Sequence, residues 1–351
     1  MNQDNDAIAP SPPGDAVSKL AVNEASTMLV AGAWDSSVTC YSVQQQGDRA
    51  AMAPQAQIKH DAPVLCVDVV AGGNTVLSAG CDNVIKMWDP AAGTNTTTIG
   101  QHEKPISFVK YVPETKVVIS GSWDSTIKVW DARQPNPVFN LAVPERIHCM
   151  DVRHPAVVVG TADKHIRVFD MSSGSLRQMG DPVKSPFSYQ TRAVAIFADK
   201  TGFAVSCVEG RVGIQYFSQM GRTGGPSNQK DSNFAFKCHR EKIPNGNGSS
   251  NVYPVNVLAF HKNNTLLTGG ADGSMTVWCK DTRSSVVSYP KYKGVLPVTA
   301  ATYNAQGNML FYALSYDWSM GVEQKYTPMG SQILAHVCPE SETKKIGVMK
   351  R

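Results

Sequence analysis

The stretch GSWDSTIKVWD, residues 121–131, decides the fold of this chain of 351 residues. A nearly identical run, AGCDNVIKMWD, occupies residues 79–89. Each run begins with a tight turn at an Asp and continues as a strand whose apolar residues alternate, which places them on one buried strand face. A unit that ends in Trp-Asp and returns about every 40–45 residues is typical of the blades of a β-propeller.

Seven copies of the turn can be aligned on their acidic residue: Asp35, Asp82, Asp124, Asp163, Glu209, Asp272 and Asp317. The intervals between them are 47, 42, 39, 46, 63 and 45 residues. Two strand-like runs precede each turn and another follows the repeat, so each unit has four strands. The chain is therefore predicted to be an all-β, seven-bladed propeller. The longest interval contains two Gly-, Ser- and Asn-rich stretches, which indicate surface loops.

The ends of the chain differ from this regular pattern. Residues 1–14 are polar and Pro-rich, and we expect them to be disordered. Residues 15–338 are predicted to form the single propeller, and residues 339–351 a basic, flexible tail. The last blade could be completed by SQILAHV, residues 331–337, or by part of the N-terminus, and the sequence does not decide between them.

The composition restricts the class of protein. Apolar residues make up 42% of the chain and charged residues 18%, which is typical of a globular protein. The sequence contains no apolar run of about 18 residues and no secretory signal, so we expect no membrane insertion. The net charge of +4 permits an acidic partner or RNA without requiring either.

The spacing of the cysteines argues against a metal site, and the lack of paired carboxylates argues against an enzyme active site. The eight cysteines are scattered without a CxxC pair, so we expect buried free thiols rather than a zinc site or disulfides. No paired carboxylates can be assigned to a central channel, and neither a cofactor nor enzymatic activity is predicted.

A second pattern combines His, Ser, Asp and Trp at identical spacing in two successive units. The two sets are His60, Ser78, Asp82 and Trp88, and His102, Ser120, Asp124 and Trp130. Ser, His and Asp together could suggest a hydrolase triad, but a triad occurs once in a protein, whereas this set repeats. We therefore expect a structural relay, in which the indole N–H bonds Ser, Ser bonds His, and His bonds the carboxylate.

Several longer runs of residues resemble sequences of one protein family. They are PERIHCMDV (144–152), SCVEGRVGIQYF (206–217), FAFKCHR (234–240), VYPVNVLAFH (252–261) and SYDWSMG (315–321). Together with the repeat, they resemble the WD-repeat family, and within it the mRNA export factors of the nuclear pore. A close relative of that group is the WD-repeat protein of the mitotic spindle checkpoint. SYDWS is closer to the export factors, whereas the Gly-rich loop at 220–230 departs from their pattern.

The resemblance implies a non-enzymatic adaptor that binds a short acidic nucleoporin segment on one propeller face and supports mRNA export. It also implies association with mRNA, directly or through partners, and a location in the nucleus and at the nuclear envelope, with the cytoplasm also open. The expected state is a monomer within a heteromeric complex. The alternatives are a checkpoint adaptor that binds a kinase-borne peptide, and a generic WD-repeat scaffold.

The residue before each turn acid is expected to face outward from the propeller. At three of the seven turns this residue is a large aromatic: Trp34, Trp123 and Tyr316. Such residues are enriched at interaction hot spots, so they are candidates for peptide binding. The alternative is that they only pack within their loops.

A basic cluster follows the predicted outer strand of blade five. It contains Lys237, His239 and Arg240, and the resemblance implies that Arg240 captures a Glu of the acidic peptide. An Arg side chain is suited to bidentate binding of a carboxylate. Lys280 and Arg283 in the next unit are expected to extend this patch. The alternative is that these charges are simply solvated.

Overall fold

The computed structural model describes residues 6–219, 233–244, 248–292, 296–319, 321 and 330–344. The Gly-rich loop at 220–230 lies outside these residues. In chain order the strands are β1 Ala7–Ile8, β2 Val17–Val22, β3 Met28–Ala33, β4 Ser37–Gln46, β5 Arg49–Lys59, β6 Val64–Val69, β7 Val76–Gly80, β8 Val84–Trp88, β9 Thr96–Gln101, β10 Ile106–Val112, β11 Val117–Ser122, β12 Thr126–Trp130, β13 Phe139–Ala142, β14 Ile147–Arg153, β15 Ala156–Thr161, β16 His165–Asp170, β17 Arg177–Gln178, β18 Val183–Lys184, β19 Thr191–Ile196, β20 Gly202–Cys207, β21 Arg211–Tyr216, β22 Phe234–Lys237, β23 Arg240–Lys242, β24 Ser250–Val252, β25 Val255–Phe260, β26 Thr265–Gly270, β27 Met275–Cys279, β28 Ser284–Tyr289, β29 Val298–Tyr303, β30 Met309–Leu314 and β31 Gln332–Val337. A short helix, α1 Glu340–Thr343, follows β31.

These strands form seven antiparallel sheets arranged as the blades of a propeller, as the sequence predicts. Blades one to three are β2–β5, β6–β9 and β10–β13. Blade four is β14–β17 with β18 also paired to β16, blade five is β19–β22, and blade six is β25–β28. Strands β23 and β24 pair separately as a hairpin between blades five and six. No helix in the described part of the chain is long and apolar enough to cross a membrane.

The N-terminus supplies the outer strand of blade seven. The strand order there is β29-β30-β31-β1, with Ala7 opposite Ala335 and Ile8 opposite Leu334. SQILAHV is thus the third strand of the blade and β1 is the fourth. The expected disorder of residues 1–14 does not extend to residues 6–14. The physical reason is that an unpaired edge of β31 would expose backbone donors and acceptors, which β1 satisfies.

One histidine connects both ends of the chain to blade seven. The imidazole of His336 lies 2.6 Å from Asp6 and 2.9 Å from Glu342. Tyr289 of blade six donates a hydrogen bond of 2.7 Å to Glu342, which is buried. Burial lowers the pKa of His336, but the two carboxylates outweigh it and raise the pKa to about 9. The tail expected to be flexible from residue 339 is therefore docked through residue 343.

The seven turns share one backbone conformation. The residue after each turn acid has a positive φ of 62–77°: Ser36, Asn83, Ser125, Lys164, Gly210, Gly273 and Trp318. In five of the seven, the acid also accepts the backbone N–H two residues later, as an Asx turn. This hydrogen bond explains why the sequence places Asp at these positions.

Hydrogen bonds also join every pair of neighbouring blades close to the central channel. In each case a side chain bonds the backbone of the next blade: Ser18 to Val64 (2.7 Å), Asp68 to Tyr111 (2.7 Å), Ser107 to Ile147 (2.9 Å), Asp151 to Ile196 (2.8 Å), Ser206 to Val255 (3.0 Å), Asn256 to Val298 (3.2 Å) and Ser315 to Val17 (3.1 Å). Apolar clusters between the blades complete the core. The blades are therefore held in fixed positions around the channel.

Candidate functional site

The predicted relay is complete in blade three. His102 lies 2.8 Å from Asp124 and 2.8 Å from Ser120, and the indole of Trp130 donates to the same Ser120 oxygen at 2.8 Å. All of these atoms are buried or nearly so. These buried hydrogen bonds therefore link the loop before β10 to β11, β12 and the turn between them.

Blade two departs from the prediction at its tryptophan. His60 contacts Asp82 at 2.6 Å and Ser78 at 2.8 Å, as expected. The indole of Trp88, however, donates to the carbonyl of Gly93 at 2.6 Å and not to Ser78. A short 3-10 turn after β8 brings this carbonyl to the indole, so the relay of blade two ends at the serine.

Blade six also contains a relay. The sequence analysis assigned its histidine to the basic cluster that follows the outer strand of blade five. His239, predicted to belong to the basic cluster, is only 7% exposed. It lies 2.9 Å from Asp272 and 3.0 Å from Thr268, to which Trp278 also donates at 3.0 Å. The β23–β24 hairpin is inserted between His239 and the blade, so the His-to-Thr spacing is 29 residues and not 18.

Blade four replaces the histidine with an arginine. Arg167 is buried and donates to Asp163 at 2.8 Å, and Thr161 donates to the same carboxylate at 2.5 Å. Burial would raise the pKa of Asp163, but Arg167 and Thr161 hold it well below the ordinary value. Charge-assisted hydrogen bonds from Arg167 to Asp163 therefore hold the turn of blade four in place.

The mouth of the channel is built by a feature that recurs in every blade. The first strand of each blade has a register shift at one residue, and these seven residues form what we call the bulge ring: Ser18, Leu65, Ser107, His148, Arg192, Asn256 and Thr299. A β-bulge re-aims its side chain. All seven residues line one concavity at the end of the channel that carries the seven turns.

The three predicted aromatic residues border this concavity. Trp34, Trp123 and Tyr316 all line it, and its volume is about 440 Å³. Trp34 is 40% exposed, and the ring of Tyr316 lies 5.6 Å from that of Trp318. The structure therefore brings together three residues from blades one, three and seven, and adds Trp318, which the sequence analysis missed.

Polar side chains of the bulge ring were also missed. Arg192 donates through Nε to Asn256 at 3.1 Å, and Asn256 donates to Asp317 at 3.0 Å. His148 lies on the neighbouring blade, 3.4 Å from the Gln190 amide. No sequence signal marks these residues, because a bulge arises from how two strands pair and not from the residue type.

Arg240 lies at the base of the inserted hairpin, near the turn of blade five. One of its terminal nitrogens donates to the backbone carbonyl of Glu209 at 2.9 Å. Its Nε is buried without a hydrogen-bond partner among the described residues, as are Nε of Arg211 and one carboxylate oxygen of Glu209. Lys237 is exposed at the end of β22, opposite Arg211 in the sheet register. Arg240 and Lys237 thus lie at the turn end of blade five.

Lys280 and Arg283 do not extend that patch at the same end. They lie in the turn between the third and fourth strands of blade six, and successive turns of a meander alternate between the two ends of a blade. Lys280 is buried and contacts Asp281 at 2.9 Å, while Arg283 stacks 4.4 Å from the Phe234 ring. The prediction that all five basic-patch residues share one patch is therefore corrected.

A cleft between blades five and six connects the two groups of basic residues. We call it the side cleft, and it is lined by Ile214, Phe234, Ala235, Phe236, Lys237, Leu266, Trp278, Cys279, Lys280 and Arg283. Its volume is about 230 Å³, and the rings of Phe236 and Trp278 lie 4.7 Å apart in it. All the charged residues that line it are basic.

The cysteines are all free thiols in the structure, and seven of the eight are buried. Burial raises the pKa of Cys40 to about 12, so this thiol stays protonated at neutral pH. Among the described residues, His336, Cys338 and Glu342 are the group whose ligand atoms lie within 4.8 Å of one another. The hydrogen bonds of His336 to Asp6 and Glu342 already account for that arrangement.

Comparison with known proteins shows which sequences this chain is similar to. The profile of the family described as "WD domain, G-beta repeat" matches residues 53–89, 93–131 and 242–279. The Arabidopsis thaliana protein named "Protein RAE1" is 41% identical over 339 residues, covering 96% of this chain and 91% of its own length. The Danio rerio "mRNA export factor" is 38% identical, covering 93% and 87%. The Schizosaccharomyces pombe "Poly(A)+ RNA export protein" is 34% identical, covering 97% and 92%.

Proposed function

The chain belongs to the family of WD-repeat mRNA export factors, and we propose that it acts as a non-enzymatic adaptor that carries an acidic nucleoporin segment on its channel-mouth face. Its role in mRNA export follows from the family, whereas the partner is our proposal. The observation that carries the proposal is the concavity of about 440 Å³ bordered by Trp34, Trp123 and Tyr316. Exposed aromatic residues around a concave centre are the usual anchors of a protein interface.

Arg240 supports an acidic partner at this face. Its guanidinium is held at the turn end of blade five by the Glu209 carbonyl, and the side chain is half-buried, with its Nε enclosed. A carboxylate that approached this group would form a charge-assisted hydrogen bond, which is stronger than a neutral one. We therefore assign Arg240 the capture of an acidic residue of the segment, with Lys237 beside it.

The side cleft is a second surface that an acidic segment could use. It offers an apolar floor at Phe236 and Trp278 and basic residues at Lys237 and Arg283. A segment that carries an apolar anchor next to acidic residues would match both features. We propose that a partner bound at the channel-mouth face can continue into this cleft past Lys237. His239 is excluded from both surfaces because it is buried in the relay of blade six.

This function implies a location at the nuclear pore and association with mRNA-protein particles through the complex. A direct RNA contact would involve the phosphate backbone and would weaken steeply with salt. The alternative of a checkpoint adaptor with a kinase-borne peptide uses the same face. The two are distinguished by the partner recovered from nuclear-envelope extract: a nucleoporin supports the proposed function, and a checkpoint kinase supports the alternative.

Substitution of Trp34 tests the proposed face. In calorimetry with a synthetic acidic nucleoporin peptide, Trp34→Ala should weaken binding by about 2 kcal/mol, the loss typical of a hot-spot residue. Met179→Ala is the matched control, because Met179 is also 40% exposed but lies on the outer side of blade four. Equal affinity of the wild type and Trp34→Ala would remove Trp34 from the site.

A further inference from the structure

A second cavity occupies the end of the central channel opposite the mouth. We call it the far cavity, and its volume is about 390 Å³, within the range of small-molecule sites. The first strands of all seven blades line it. Because the hydrogen bonds between neighbouring blades fix these strands, the cavity is formed before any ligand enters, which lowers the entropy cost of binding.

The far cavity is lined by an unusual number of charged side chains. They are Lys19, Glu24, Asp68, Lys110, Asp151, Arg153 and Lys262. Four of these residues are basic and three are acidic, so the lining carries one more positive than negative charge. Which of these charges can act on a ligand depends on which are already paired within the protein.

The three acidic side chains are already bonded to the wall of the channel. Asp68 and Asp151 accept backbone N–H groups of the next blade at 2.7 Å and 2.8 Å, and Glu24 accepts a backbone N–H at 3.3 Å. Asp151 also pairs with Lys110 at 3.3 Å. Each carboxylate therefore has partners in the protein, and one of the four basic residues is paired.

The other three basic side chains come from three different blades. Lys19 lies in β2 of blade one, Arg153 ends β14 of blade four, and Lys262 follows β25 of blade six. Within the part of the chain that the structure describes, these side chains form no hydrogen bond and no ion pair. Three cations thus surround one cavity with their donors unused.

The charge of Lys19 is only partly offset by the protein. Its side chain is accessible to water in the channel. Burial by the surrounding wall nevertheless lowers the pKa of its ammonium group, while the negative charges of Asp151 and Asp68 act in the opposite direction. An anion in the cavity would supply the missing negative charge, since opposite charges attract more strongly where water is partly excluded.

We propose that the far cavity binds a small anion that carries several phosphate groups, held by Lys19, Arg153 and Lys262. The ammonium groups bind phosphate as point charges, and the guanidinium can bind two phosphate oxygens at once. A single carboxylate has only two oxygens and would leave part of this set unpaired. The inference goes beyond the proposed function, because the acidic segment is assigned to the other end of the channel.

Such a ligand would connect blades one, four and six across the channel. These blades are not neighbours, so the hydrogen bonds between adjacent blades do not join them directly. A ligand that binds the folded ring and not the unfolded chain stabilises the fold by mass action. The far cavity is therefore a site for a stabilising small molecule rather than a surface for a protein partner.

Calorimetry and thermal melts of the full chain at physiological salt test this proposal. The probes are inorganic tripolyphosphate, inositol hexakisphosphate and, as an anion without phosphate, citrate. The variants are Lys19→Gln, Arg153→Gln and the control Lys116→Gln. Lys116 is exposed in the turn between β10 and β11, at the same end of the ring, and it does not line the far cavity. Circular dichroism checks that each variant is folded.

We expect at least one of the two phosphate probes to bind the wild type and to raise its melting temperature. Lys19→Gln and Arg153→Gln should each weaken this binding at least tenfold, because each removes a charge-assisted contact. Lys116→Gln should weaken it less than twofold, and citrate should bind at least tenfold more weakly. A preference for one phosphate probe would show whether the phosphates are carried on a chain or on a ring, and either supports the proposal.

Three results would overturn it. Neither phosphate probe may bind the wild type even at millimolar concentration, which would mean that the cavity is not a phosphate site. Equal losses in Lys116→Gln and in the two channel variants would show that only the general charge of this end matters. Citrate that binds as tightly as the phosphate probes would contradict the assignment to phosphate. None of these results bears on the acidic segment, which the Trp34→Ala variant tests at the mouth.

Discussion

Ser120 and Ser78 occupy equivalent positions, yet the structure gives them different numbers of partners. Ser120 bonds His102, Trp130 and, at 3.4 Å, the Lys128 carbonyl, whereas His60 is the one hydrogen-bond partner of the Ser78 hydroxyl among the described residues. Ser120→Ala leaves two buried groups without a partner and should lower the free energy of unfolding by about 2–3 kcal/mol. Ser78→Ala should cost about 1 kcal/mol. Urea unfolding of the two variants checks this, and equal losses would show that the indole bond in blade three contributes nothing.

Asp163 should make stability depend on pH in the acid range. Arg167 and Thr161 lower its pKa in the folded protein, so its charged form contributes stability above the ordinary Asp pKa of about 4, and that stability is lost as the pH falls below it. Asp163→Asn should therefore be less stable than wild type by about 1–3 kcal/mol at pH 7. The difference should shrink as the pH is lowered from 4 to 2. A constant difference in melting studies over this range would contradict the assignment.

The relay and turn residues show which features of this structure can be predicted from single residues of the sequence. Asp35 and Asp124 could be assigned to turns because the repeat returns at a regular interval, and in the structure each of them accepts the backbone N–H two residues later. The relay of blade six could not be recognised from the sequence, because the β23–β24 hairpin lies between His239 and Thr268 and changes the spacing of the pattern. Arg192 and the other bulge residues could not be predicted, since a bulge depends on strand register.

At the scale of strands, the sequence predicted seven blades of four strands, but not the β23–β24 hairpin, which lies in a stretch expected to be a surface loop, nor the end of the blade at which each turn lies. The sequence analysis expects Lys280 and Arg283 to extend the patch around Arg240 because they lie on the neighbouring blade. Their turn follows a third strand, however, so it lies at the other end of the blade. The sequence does not decide which segment completes blade seven. In the structure the outer strand is Ala7–Ile8, and a strand of two residues is too short to show a detectable periodicity.

Ile8 at the end of β1 and Ala9, the residue after it, are a pair of neighbours that can test this closure. Ala9 is 1% exposed and Ile8 is 52% exposed. Ala9→Asp would bury a charge against blade seven and should lower the free energy of unfolding by about 3 kcal/mol or more. Ile8→Asp places the same charge in water and should cost less than about 1 kcal/mol. Thermal melts that show equal stability for both variants would mean that β1 does not close the ring.

At the scale of the whole molecule, the ring is a rigid support for one binding face. A hydrogen bond near the channel joins each of the seven pairs of blades, and each first strand turns one side chain into the mouth. The face is thus assembled from residues far apart in sequence, such as Trp34 and Tyr316.

Hydrogen-exchange mass spectrometry with and without an acidic nucleoporin peptide tests this account most directly. The measurement compares protection of the mouth-face turns, at residues 33–37, 122–126 and 207–211, with the turn at 131–138 at the other end of blade three, which lies outside the side cleft. We predict that the peptide protects the mouth-face turns of blades one, three and five, and that a peptide with its acidic residues neutralised protects none of them. Protection confined to the opposite end, or equal protection by the neutralised peptide, would contradict the proposal that the channel-mouth face binds an acidic segment.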